Sequence, residues 1–143
     1  WMRGEAIQLS SMQLATYMLI LHQSFCTHHG GLVKVGQHHP LSAADVQRLG
    51  TTYRAICQLF RDEPMAEQRC YLDDVPHIRG YIARLRTIIA HHIDDHDLGF
   101  YMPQDTTDKS RYYIAIERDK ITIRTAAGEM PFEEFPLWKR LRS

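Results

Sequence analysis

The residues of this 143-residue chain best suited to chemistry lie in one stretch, Pro76 to Asp97, which reads PHIRGYIARLRTIIAHHIDDHD. Arg84 and Arg86 supply guanidinium groups, which grip phosphate oxygens in pairs and neutralise charge that builds on them. His91 supplies an imidazole, and histidine as a class takes up and releases protons near working pH. A cation and a proton carrier brought to one phosphate suit cleavage of an RNA phosphodiester. The histidine would move a proton between the ribose 2′-hydroxyl and the leaving oxygen while the arginine steadies the phosphate. A second chemistry is metal binding. His92 and His96 are four apart, a spacing that presents two imidazoles on one helix face, and His22, His28, His29, His38 and His39 are further donors. The glutamate of an H-E-x-x-H motif is absent, since positions 93 to 95 are Ile, Asp and Asp, and no Glu-x-x-His repeat is present. A core histidine satisfied by a hydrogen bond is the commoner role for that pair, so no metal or cofactor is expected.

The spacing of apolar residues predicts a helix from Pro76 to His96, with Asp73 and Asp74 just ahead of the proline at its positive end. At about 100° per residue, Ile78, Ile82, Leu85, Ile89 and Ile93 form the buried stripe, which His92 and His96 continue inward. The opposite side carries Ala83, Thr87, Ala90 and Asp94, a strip of small residues that a second helix can approach closely. Arg86 flanks the strip on one edge. His91 flanks it on the other, with Arg84 on the His91 edge two turns earlier. Residues five apart on a helix point about 140° away from each other, so one chain alone keeps Arg86 and His91 apart. A second copy docked on the strip would bring its own pair opposite, and self-association becomes part of the chemistry.

The remaining segments read as scaffold. Ile7, Leu14, Met18, Leu21 and Phe25 predict a helix from Glu5 to about His28 that is apolar on nearly all sides, central to a bundle or covered by a partner chain. Ser42, with Asp45 three residues on, opens a second helix whose stripe is Val46, Leu49, Tyr53, Cys57 and Phe60. Asp62, Glu63 and Pro64 end it, and a short helical piece from about Met65 to Leu72 leads into the Pro76 helix. Leu98 to Ser110 reads as a loop. Alternation over Arg111–Glu117 and Lys120–Thr125, turning at Arg118 and Asp119, predicts a β-hairpin. Residues 131 to 142 read as one or two short helical turns with a basic tail.

One domain is the natural count at this length. Lysines plus arginines equal aspartates plus glutamates at 17 each, so no global field draws the chain to nucleic acid or membrane, and any nucleic-acid contact is local. Cys26, Cys57 and Cys70 show no paired spacing, which fits reduced thiols in a cytoplasm. Met2 reads as the natural start, with Trp1 an added residue. No secretion signal is expected, and the most apolar run, Tyr17 to Leu21, is too short to span a bilayer.

Residues 84 to 92, with Arg86-x-x-x-x-His91 inside LRTIIAHH, resemble the motif of the HEPN superfamily, all-helical bundles in which an R-x-x-x-x-H signature on a late helix marks many metal-independent ribonucleases. The resemblance extends more loosely over Glu5 to Asp97 and does not cover the hairpin. Where the family commonly has Asn, Asp or His after the arginine, this chain has Thr87. The resemblance implies a homodimer with a shared cleft, Arg86 and His91 as catalytic residues, an RNA substrate, a role as a prokaryotic toxin or defence effector, and a cognate inhibitor protein as a further partner.

Three other readings stand beside it. Arg84 and Arg86 can be solvated helix charges and His91 a surface residue paired with Asp94 or Asp95, and the chain can be a catalytically silent HEPN-like binding module in the same kind of complex. The bundle can hold a metal through His92 and His96. Tyr112 and Tyr113 with Arg111, Arg118 and Arg124 can form a basic, aromatic surface for single-stranded nucleic acid, or the hairpin edge can accept a partner strand. The expected fold is α+β and mostly helical: a small four-helix bundle, three helices long and one short, over 5–97, then a β-hairpin at 111–125 and a short helical tail.

Overall fold

The structure, a computed structural model, describes residues 7–27, 30–34, 42–59, 71–125 and 128–141. The protein is α+β and mostly helical, and a β-hairpin and a short helical tail close the described chain. The first helix, α1, spans Ser11–Phe25. It starts later than the apolar periodicity suggests because Ser10 and Gln13 form a capping box: Ser10 Oγ accepts from the Gln13 amide at 3.2 Å, and Gln13 Oε1 accepts from the Ser10 amide at 2.9 Å. Leu19 and Ile20 are fully buried at its centre. This helix lies in the middle of the fold, packed by α2, α3 and a small sheet, so its all-round apolar character is satisfied within one chain.

A short strand, β1 (Leu32–Val33), follows α1. Gly31 makes that turn possible. Its φ is +149°, and a Cβ there would run into the Tyr112 carbonyl oxygen and lie 3.2 Å from Arg111 Cβ. The expected loop over 32–40 thus begins as a strand, while residues 35–40 lie outside the described set.

The second helix, α2, spans Ala43–Gln58, with Ser42 accepting from the Asp45 amide at 3.1 Å as the sequence predicts. Leu49, Tyr53, Ile56 and Cys57 are buried. Phe60, the end of the expected stripe, and residues 61–70, which include most of the expected short helix, lie outside the described residues.

The third helix, α3, spans Tyr71–His92 and differs from the expected one at both ends. Pro76 lies inside it rather than at its first turn. The proline removes one main-chain hydrogen bond, and in the same region Tyr53 Oη donates to the buried Asp74 at 2.8 Å, which ties this end of α3 to α2. At the other end, α3 stops at His92. Asp94 adopts an extended conformation and begins a new helix, α4 (Asp95–Tyr101). The acidic run counted as the tail of one helix is the start of the next, since Asp95 and Asp97 lie in the first turn of α4 at its positive end. A short helix thus follows α3 and runs into the stretch from Leu98 that the sequence suggested as a loop.

Beyond α4 come β2 (Gln104–Asp105) and β3 (Arg111–Tyr113). They join β1 in an antiparallel sheet of order β1-β3-β2. The hairpin expected over 111–125 does not form between those segments. Arg118–Lys120 is a single 3-10 turn, and the hairpin is made instead by β4 (Thr122–Thr125) with β5 (Gly128–Pro131). The Ile116 amide donates to the Phe100 carbonyl at 3.0 Å, which draws this stretch to α4 rather than to β4. A second 3-10 turn, Phe132–Glu134, leads into α5 (Pro136–Arg140). Phe132, Phe135, Leu137 and Trp138 are buried, and the Trp138 ring lies 4.8 Å from the ring of His22 on α1.

Candidate functional site

The buried face of α3 is the predicted one: Ile78, Ile82, Leu85 and Ile89 all belong to the core, as does Ile93 just past its end. Its opposite face is open. Ala83, Thr87, Ala90 and Asp94 are exposed, as are Arg84 and His91, so the small-residue strip is not covered by the hairpin. Thr87 turns its hydroxyl back to the Ala83 carbonyl at 3.1 Å, which leaves its methyl group for the surface. His91 stands in the last turn of α3 with its ring edge-on to His92, centroids 5.2 Å apart. The structure does not bring Arg86 and His91 together within one chain, in keeping with their angular separation.

Arg86 is the most constrained of the predicted residues, with a side chain 35% exposed. Its Nε donates to the Pro103 carbonyl at 3.0 Å and its Nη2 to Asp105 Oδ1 at 3.1 Å. The same carboxylate oxygen accepts from Lys34 Nζ at 2.8 Å. Lys34 Nζ lies 4.7 Å and the Arg86 guanidinium carbon 5.6 Å from the centre of the Tyr112 ring. Strand register explains the assembly. Asp105 and Leu32 both pair with Tyr112, and Lys34, two residues after Leu32, leaves the same face of the sheet. Four elements thus meet at two cations, one carboxylate and one ring. The Lys34 hydrogen bond, reinforced by Arg86, holds the Asp105 carboxyl below the usual range against the opposing effect of burial. Pairs this exposed stabilise a fold by about 0–1 kcal/mol each.

Lys34, Pro103 and Asp105 were not among the residues singled out by sequence. The strand just before Lys34 had one local signal, the Leu-Val-Lys-Val run after Gly30-Gly31. Nothing in the sequence links Asp105 to Arg86.

The other candidate sites do not assemble among the described residues, and the further donors His28, His29, His38 and His39 lie outside them. His92 is half-buried on α3 while His96 is exposed on α4, so their spacing spans a helix break and neither belongs to the core stripe. No three His, Cys, Asp or Glu side chains converge among the described residues. The basic, aromatic surface is divided between two sheets. Arg124 is paired with Glu129 at 2.9 Å, Arg111 is half-buried against Ser110, Tyr112 lies under Lys34 and Arg86, and the Arg118 side chain is outside the described set.

Two buried phenols complete the electrostatics. Tyr17 Oη donates to the Tyr101 carbonyl at 2.7 Å, and Tyr53 Oη to Asp74. Burial pushes both hydroxyls well above the ordinary tyrosine range. Among the described residues, no helix is long and apolar enough to cross a membrane. No family model, curated protein or solved structure matches the chain.

Proposed function

We propose that this chain is a metal-independent endoribonuclease of HEPN-like type, working in the cytoplasm as a homodimer whose two copies meet along α3. The observation that carries the reading is the open face of α3: Ala83, Thr87 and Ala90 are exposed between Arg84 and His91 on one edge and Arg86 on the other. Small side chains let two helices approach closely, and in such a pair the imidazole of one copy faces the guanidinium of the other. His91 then takes the proton of a ribose 2′-hydroxyl and delivers it to the leaving 5′-oxygen. The 2′-oxygen–phosphorus bond forms as the phosphorus–5′-oxygen bond breaks, leaving a 2′,3′-cyclic phosphate and a 5′-hydroxyl. Arg86, with Arg84 as a second contact, neutralises the charge on the phosphate. A toxin or defence effector with a cognate inhibitor protein is the biological role that this reading brings.

One observation favours a second reading, a silent binding module: Arg86 already spends two of its donors on Pro103 and Asp105. RNA incubated with the protein in excess EDTA separates the two. Cleavage that disappears in Arg86→Ala and His91→Ala supports the nuclease, and intact RNA with a dimeric protein supports the module.

A further inference from the structure

We infer that the Asp105 carboxylate is a stand-in for a phosphodiester of the RNA backbone, occupying a cationic seat formed by Lys34 and Arg86, so that RNA binds there by exchanging one oxyanion for another. The inference rests on the reading that Arg86 faces RNA, and adds Lys34 and Asp105 to that site.

The geometry supports it in three respects. Two positive side chains converge on a single carboxylate oxygen, Lys34 Nζ at 2.8 Å and Arg86 Nη2 at 3.1 Å, which leaves the seat with a surplus of one positive charge. Tyr112 underlies both cations and keeps them together, so the seat persists when the carboxylate leaves. Arg86 is anchored independently by the Pro103 carbonyl through Nε, while its Nη1 has no hydrogen-bond partner among the described residues. The end of the guanidinium fork thus remains available for a paired grip on phosphate. Lys34 is 22%, Arg86 35% and Asp105 41% exposed, so a ligand can reach all three and the carboxylate can swing outward into solvent. With Asp105 in place, Arg86 Nη2 is occupied by the carboxylate, which accounts for a candidate phosphate-gripping residue that is already engaged.

The test uses the full chain and a short, fluorescently labelled 2′-O-methyl oligoribonucleotide, which binds as RNA does but lacks the nucleophilic hydroxyl. Removing the competing charge in Asp105→Asn should tighten binding roughly fivefold at low salt, with the gain fading as salt rises. Lys34→Gln should weaken binding and abolish the gain when the two changes are combined. A folded Asp105→Asn protein with unchanged or weaker binding would overturn the inference and make Asp105 a structural tie. Should that variant not fold, the unsubstituted protein still decides. Titration with the same oligonucleotide must shift the NMR signals of the Asp105 carboxyl and the Arg86 guanidinium together, and unmoved signals would refute the exchange. Cleavage of ordinary RNA is scored separately. Tightened binding without cleavage removes the nuclease reading alone, and cleavage without the Asp105 effect removes the exchange alone.

Discussion

At the residue scale, the buried phenols Tyr17 and Tyr53 set how the fold responds to alkali. In the unfolded chain a tyrosine ionises near pH 10, while both hydroxyls titrate higher in the fold because burial disfavours the anion. Their contribution is therefore fully present below about pH 10 and lost as pH rises from there through the folded values. Urea unfolding measured from pH 8 to 11 should show stability falling above about pH 10, and the fall should flatten in Tyr17→Phe combined with Tyr53→Phe. At neutral pH, Tyr53→Phe alone should cost about 1–3 kcal/mol, because it removes a hydrogen bond to the buried Asp74. The inward stripe of α3, Ile78 to Ile89, was legible because period alone fixes which side of a helix an isoleucine occupies. The engagement of Arg86 was not. Its partners come from strands whose pairing depends on Gly31 and on the path of the chain after α4, neither of which a local pattern encodes.

At the scale of elements, the break between α3 and α4 shows why an apolar period can mislead. Ile93 keeps the helical stripe, yet Asp94, Asp95 and Asp97 favour a helix start more than a helix end, and the chain re-initiates there. A similar competition moved the hairpin: period-two alternation from Arg111 onward is real, but it records burial beside α1 and α4 rather than pairing with the next alternating segment. The start of α1 is encoded in Ser10 and Gln13, whose capping overrides the apolar period ahead of them, and Ser10→Ala should lower stability by about 1 kcal/mol. At the α1–β1 turn, Gly31→Ala should cost about 1–3 kcal/mol, since the added methyl meets β3 in a conformation that side chains resist. Gly30→Ala, where a Cβ meets nothing within 4 Å, should cost less. Denaturant midpoints of the two variants check the order.

At the scale of the whole molecule, the α+β, mostly helical architecture followed from the count and spacing of apolar stripes, because each needs a core to face. The proposed association would use the other side of α3, where Ala83, Thr87 and Ala90 are exposed and a second copy must supply the contact. Ala90→Glu should leave the fold intact, since Ala90 is exposed, and should turn a dimer into a monomer by light scattering. RNA cleavage should fall with the dimer. Unchanged mass in the variant, or a monomeric parent protein, would refute the α3 pairing.

The contact of His22 with Trp138 carries a consequence for how the chain acquires its shape. Because α1 finds part of its covering in α5, the indole and its aromatic neighbours must emerge from a ribosome long after the helix they shield. Until then Phe25 and its surroundings remain wet, and the nascent polypeptide depends on delayed closure between distant segments. Emission from Trp138 would mark the moment of that closure.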